Sequence, residues 1–216
     1  MRIPILTPHK IPVKNGLVLW LAGRDFLNSP TTSLWLDRCG NNNNVVPSGF
    51  GYTSSSGRNG LGSVVFDGVD DTFISQSNIT IVGNQPRTLE ITVSGIVDTG
   101  TKYLIGYGTS ASNGATFIIY ALGGKYYFSG WGTADLASAT TISNGLKYTL
   151  ACVYDGTTIK LYANGVLSAS RVCSLNTDSN QKLYIDHSLA CNVYDAKLYN
   201  RALTDSEILQ NYNFVR

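Results

Sequence analysis

Charge is the first thing this 216-residue sequence lacks: Asp, Glu, Lys and Arg make up 14% of it, against ~25% in an average globular chain. Its 16 Lys and Arg stand against 14 Asp and Glu and form no basic block. Electrostatic nucleic-acid binding is left without support. Long apolar runs are also missing. LVLWLA at 17–22 is far short of the ~20 residues of a membrane span. The opening MRIPILTPHKIPVKNG is broken by Pro4, Pro8 and Pro12 and has no apolar h-region. It is not a secretory signal, so the expected location is a virion, or an extracellular site reached by another route. Cys39, Cys152, Cys173 and Cys191 contain no CxxC pair. They read as free, partly buried thiols, although four cysteines allow three pairings. With only His9 and His187 present, a Cys/His zinc site is not expected.

What the chain has instead is 22 Gly, 43% hydrophobic residues, and 59 Asn, Ser and Thr together. The hydrophobic content and the net charge of +2 exclude disorder. Neutral polar groups must cover the surface. Residues 1–15 read as an extended arm, because proline every four residues forbids a regular helix. Ile3, Ile5, Leu6, Ile11 and Val13 would give such an arm apolar anchors on another virion protein or a second copy of the chain. The competing expectation is that it folds back over its own domain.

From Gly16 the pattern is β. In TLEITVSGIV at 88–97, Leu89, Ile91 and Val93 alternate with Glu90, Thr92 and Ser94, the period of a half-buried strand. TFIIYAL at 116–122 and KYYFSGW at 125–131 flank Gly123-Gly124. Asp155-Gly156 and Asn164-Gly165 divide 147–170 into a three-stranded meander. Only the C-terminus reads as helix, where Thr204 and Glu207 form a capping box. About a dozen strands and one short helix predict an all-β sandwich or barrel, in one domain spanning 16–216.

Five segments, in order, resemble the laminin-G-like branch of the concanavalin A-like lectin/glucanase fold in its bacterial and phage form. They are GLVLWLAGRD at 16–25, LWLDRCGNNNN at 34–44, NGLGSVVFDGVDD at 59–71, YDGTTIKLYANGVL at 154–167 and YDAKLYNRALTDSEI at 194–208. The resemblance implies a jelly roll of two curved antiparallel sheets with the first and last strands adjacent. It does not fix function, since this fold carries lectins, glycan-binding modules, glycosidases and structural modules.

Glycoside hydrolysis needs two carboxylates flanking the bond. The ExDxxE-like run that the resemblance leads one to expect in glucanases is absent. The only glutamates are Glu90 and Glu207; Glu207 belongs to the capping box and Glu90 stands alone on the polar face of its strand. Asp70 and Asp71 are adjacent and read as turn residues, as does Asp186-His187. The chain is therefore not expected to be an enzyme. A glycan site would use aromatic faces and neutral polar groups. On 125–131 alternation places Tyr126 and Phe128 together as core, leaving Tyr127 and Trp131 as candidates on the other face, where inter-sheet packing is the alternative. Trp20 reads as core. In the run Asn41–Asn44, Asn42 and Asn43 are candidate glycan contacts, with a structured loop as the alternative. The resemblance also implies one structural calcium near Asp195, with Asp37 and Asp25 as co-ligands; a hydrogen-bonded or ion-paired Asp195 is the alternative. The reading favoured is a non-catalytic structural or adhesive part of a phage-type particle, docking on proteins and binding cell-surface glycan. A free carbohydrate-binding module comes second and a glycosidase third.

Overall fold

A computed structural model describes residues 11–30, 34–96, 100–110, 112–132, 135–185 and 190–216. In chain order the strands are β1 (Leu17–Ala22), β2 (Val45–Ser48), β3 (Gly57–Arg58), β4 (Val64–Asp67), β5 (Thr72–Ile79), β6 (Arg87–Ser94), β7 (Lys102–Gly108) and β8 (Thr116–Leu122). There follow β9 (Lys125–Ser129), β10 (Leu136–Thr141), β11 (Lys147–Tyr154), β12 (Thr158–Ala163), β13 (Val166–Val172), β14 (Gln181–Ile185), β15 (Ala190–Tyr199) and the helix α1 (Asp205–Val215). The strands form two antiparallel sheets. One has eight strands in the order β13-β12-β11-β6-β15-β4-β3, with β1 also on β15; the other has seven in the order β10-β9-β8-β7-β14-β5-β2. This is the predicted jelly-roll sandwich, and its first and last strands are adjacent: Leu17 pairs with Tyr199 and Ala22 with Asp195.

The hairpins form where the turn dipeptides stand. Gly123 and Gly124 between β8 and β9, and Asn164 and Gly165 between β12 and β13, all have positive φ. That is the geometry of a two-residue hairpin turn, whose twist matches the flanking strands. Alternation then sends Leu89, Ile91, Val93, Phe117, Ile119, Tyr126 and Phe128 into the space between the sheets, where each is under 1% exposed. An aromatic cluster fills one end of the core, with Phe73 packed 4.7 Å from Phe50 and 5.2 Å from Phe26 between ring centroids.

Part of the outer face of the eight-stranded sheet is covered, where β11, β12 and β15 meet α1. Helix α1 starts with the predicted capping box, Thr204 accepting from the Glu207 amide. Ile208 packs with Val13, Val153, Tyr162, Tyr199 and Leu203 in a second apolar cluster. Val13 is held through its backbone: its N–H donates to Asn211 Oδ1 at 2.8 Å and its carbonyl accepts from the Tyr199 hydroxyl. Residues 11–15 thus lie against their own domain, and the arm reading for residues 1–10 falls outside the described residues. Trp20 is buried, as its apolar run predicts, but on the other side of the sheet. It points away from the inter-sheet core that takes Leu19 and Leu21. It lies instead under Phe214, at 5.5 Å edge-on, with Lys14 and Arg38 over its ring. Among the described residues no helix is long and apolar enough to cross a membrane.

Candidate functional site

The seven-stranded sheet leaves its outer face open, and its strand register lines up residues there from six strands. Ser129 of β9 pairs with Ile118 of β8, Ile118 with Gly106 of β7, and Gly106 with Tyr184 of β14. Tyr184 then pairs with Ile74 of β5, and Ile74 with Val46 of β2. A second row runs beside it: Tyr127 stacks on Tyr120 at 4.8 Å and 11° between planes, and Tyr120 lies 6.0 Å from Tyr103. Such cross-strand neighbours interact because their side chains leave the sheet side by side.

On this face lies a cleft of about 480 Å³ lined by Thr72, Ile74, Tyr103, Ser110, Ile118, Ser129, Trp131 and Tyr184. Gly106 sits at its floor. A Cβ there would meet Ile118 Cγ1 at 2.6 Å and the Phe117 carbonyl oxygen at 2.8 Å, so only glycine lets Ile118 lean across.

Trp131 stands at one end and is 41% exposed. Its φ is +63°, a conformation that bulky residues avoid. Surrounding bonds hold it there. Ser129 Oγ accepts from the Trp131 N–H and donates to Asp135, whose same oxygen accepts from Gly130 N–H; the Trp131 carbonyl accepts from Gly114 N–H. These bonds hold the backbone beneath an exposed indole against its ordinary preference. Tyr120 stays a neutral phenol, its pKa pushed up to about 12 by burial and by the nearby Asp135, Tyr127 and Tyr103.

A different polar group lies closed beneath α1. Lys197 forms an ion pair with Asp195 and lies 3.9 Å from Glu90. Asn211 Nδ2 donates to Glu90 Oε2 at 2.8 Å and to the Tyr199 hydroxyl at 2.9 Å. Glu90 is therefore not alone on a half-exposed face, as expected from sequence. It is 1% exposed, and its Oε1 has no hydrogen-bond partner among the described residues. Burial raises its pKa to about 7, with Asp195 adding to the rise and Lys197 and Asn211 opposing it. Glu90 is thus shut off from solvent beneath α1.

The family is decided by the chain itself: the Laminin_G_3 model, described as the Concanavalin A-like lectin/glucanases superfamily, matches residues 67–209. The chain belongs to this superfamily. No curated protein sequence matches it. Among solved structures it is similar to the binding domain of Paraclostridial Mosquitocidal Protein 1, at TM-score 0.66 and 16% identity over 93% of this chain and 52% of that one. It is also similar to the binding domain of botulinum neurotoxin serotype D, at TM-score 0.67 and 13% identity over 93% and 52%. The Trypanosoma rangeli sialidase aligns at TM-score 0.63 and 22% identity, over 91% of this chain and 32% of the sialidase. The chain thus spans about half of those binding domains and a third of the sialidase. At these identities the likeness shows a shared lectin-like jelly roll.

Within this superfamily chain, Trp131 of the expected glycan residues lines the cleft, while Tyr127 belongs to the flanking row. Asn42 and Asn43 are elsewhere. Asn43 Nδ2 donates to the Val18 carbonyl and its N–H to Asp37, so the loop closes against β1. The expected calcium ligands do not fit a hard cation, which takes six to eight oxygens. Asp195 holds Lys197 and accepts from the Trp20 indole; Asp37 accepts from the Trp20, Cys39 and Asn43 amides; Asp25 pairs with Arg38 at 2.8 Å. Among the described residues the acidic groups that do converge are Asp67, Asp70 and Asp71, at the β4–β5 turn. There Asp71 accepts from Ser56 and from the Asp67 amide. All four cysteines are unpaired. Asp186 and His187 lie outside the described residues. Sequence reasoning missed Tyr120, Tyr103, Tyr184 and Gly106. The Gly123-Gly124 turn was a usable signal for the first, since it sets Tyr120 opposite Tyr127.

Proposed function

We propose that the chain is a non-catalytic, lectin-like module that binds glycan in the cleft across its seven-stranded sheet, serving as a structural or adhesive component of a phage-type particle. The observation that carries the glycan reading is Trp131, an exposed indole held at positive φ in the cleft that Tyr103 and Tyr184 also line. Sugar rings present C–H faces to aromatic planes and hydroxyls to groups such as Ser110 and Ser129, and pockets of this composition suit them. The sialidase in complex with sialic acid and the toxin binding domains share the fold, which is compatible with such a role. The non-catalytic reading rests on Glu90 and Asp195, the carboxylates flanking Lys197, being under 5% exposed. The particle setting is supported by the neutral polar composition and by the resemblance of residues 16–25 to the opening segment of bacterial and phage members of the family.

A printed array of mixed glycans tests the central reading. Wild-type protein should be retained by at least one glycan. Trp131→Ala should bind about tenfold more weakly, ~1.4 kcal/mol, with an unchanged melting temperature. Equal binding by the variant, or no glycan retained, would refute it. An antibody against the domain should label purified particles if the setting is right.

A further inference from the structure

We propose that the cavity at the C-terminal end of α1, on the outer side of the eight-stranded sheet, is a binding site for a small organic anion, a phosphate or carboxylate group carried on an aromatic ring. The site lies on the opposite sheet from the cleft, and the inference does not rest on the glycan reading.

Helix α1 covers only part of its sheet. Where it ends, the end of β1 with its following turn, the β3–β4 loop, the start of β11 and the middle of β15 enclose a space of about 400 Å³. Volumes of this order hold small ligands. Arg24, Lys147 and Arg216 are three of its ten lining residues, in a chain with only 16 Lys and Arg among 216 residues. The cleft on the other sheet has no Lys or Arg among its described lining residues. Scarce cationic charge is thus gathered at this one cavity.

These cations lack anions of their own. Among the described residues no acidic side chain pairs with Lys147 or Arg216. Arg24 lies 3.9 Å from Asp25, but Arg38 holds Asp25 at 2.8 Å. The one acidic side chain in the lining, Asp195, is 4% exposed, and both its oxygens are engaged, by Lys197 and by the Trp20 indole N–H. It is neutralised from within and offers the cavity no counter-ion.

Lys147 is the best placed of the three. Its ammonium donates to the Val215 carbonyl at 2.9 Å and lies 5.2 Å from the centre of the Tyr194 ring. An ammonium has three N–H donors, so one bond to a carbonyl leaves two for a ligand. That bond also restrains the side chain, and less entropy is lost when an anion arrives. Arg24, exposed on the turn after β1, adds a guanidinium whose planar fork matches carboxylate and phosphate oxygens. Tyr194 and Phe214, both half-buried, contribute ring surface to the lining. An inorganic anion would use the cations alone. An aromatic phosphate or carboxylate would use the rings as well.

The test is an NMR titration of the full chain, followed at backbone amides, with phenyl phosphate, benzoate, phenol and inorganic phosphate. At least one of the two ring-bearing anions should shift signals around Arg24, Lys147 and Tyr194 and bind about tenfold more tightly than phenol or inorganic phosphate. Which of the two binds identifies the acidic group. Raising the salt from about 0.05 M to about 0.5 M should weaken that anion and leave phenol unmoved. Arg24→Glu should weaken it about tenfold with an unchanged melting temperature, and Lys147→Met should do the same. If Lys147→Met disturbs the docking of α1, Arg24→Glu decides alone. No shift at these residues with either ring-bearing anion would overturn the inference. So would phenol or inorganic phosphate binding as tightly, or Arg24→Glu binding like wild type.

Discussion

Glu90→Gln should make the domain more stable at neutral pH. Beneath α1 the side chains of Glu90 and Asp195 share one ammonium, Lys197, and Asp195 holds it more closely. Glu90 is left with one bond from Asn211 and an unpartnered Oε1. Burial therefore outweighs attraction, and its pKa rises from 4.5 to about 7. The direction of the pH effect follows. Between pH 4.5 and 7 the unfolded chain has released this proton and the folded chain still holds it, so the unfolded state binds fewer protons. Stability falls as pH rises through that window and levels off above it. At 1.36 kcal/mol per pKa unit, a rise of that size corresponds to about 3 kcal/mol lost between pH 4.5 and pH 8. Glutamine resembles the protonated form and does not titrate.

Urea unfolding of wild type and Glu90→Gln at pH 5, 6, 7 and 8 isolates the effect, because every other titrating group is common to both. The two proteins should be close at pH 5. By pH 8 the variant should be ahead by about 1–3 kcal/mol, the lower end applying if the new amide lacks an acceptor. Parallel curves, or a wild type that gains stability relative to the variant as pH rises, would show that Lys197 and Asn211 fully compensate the buried charge.

Other expectations test separate parts of the structure. Gly106→Ala forces a Cβ to 2.8 Å from the Ile118 Cα; it should cost about 1–3 kcal/mol by overpacking and weaken any glycan binding, and an unperturbed melt with full binding would count against the assigned floor. Asn211→Ala removes the partner of the Val13 N–H and a donor to Glu90, so denaturation should show a loss of about 3 kcal/mol; a loss under 1 kcal/mol would mean water replaces the side chain. Thr204→Ala should cost about 1 kcal/mol through the helix cap, measured as a shift in the same transition. Calcium or a chelator should leave the melting temperature unmoved, whereas a calcium-dependent rise abolished by Asp195→Asn would restore the ion at that site.

The parts legible in the sequence were those set by neighbours along the chain. Asn164-Gly165 and Gly123-Gly124 fix their hairpins locally, and the period of two sorts Tyr126 and Phe128 from Tyr127. What no local signal announces is that β14 enters between β7 and β5, and so Tyr184 could not be placed beside Gly106 and Ile74. Nor does alternation say what covers a face. Glu90 and Tyr184 both point outward from their sheets. One is sealed by a helix more than a hundred residues away in sequence, and the other remains half-buried in an open cleft.

That difference between the two outer faces is itself an argument for function. The eight-stranded sheet carries Glu90, Asp195 and Lys197 on its outer side and buries them under α1, at a cost in desolvation. The seven-stranded sheet carries Val46, Ile74 and Trp131 on its outer side and leaves all three more than 40% exposed. Stability alone would favour the opposite arrangement, with charge in water and the apolar row beneath the helix. Large apolar side chains left open along one face of a folded domain point to a place where something binds. With Trp131, Tyr103 and Tyr184 and the hydroxyls of Thr72, Ser110 and Ser129 lining it, the cleft offers flat stacking surfaces and neutral hydrogen-bonding groups, the chemistry of a sugar chain's two faces and its edge.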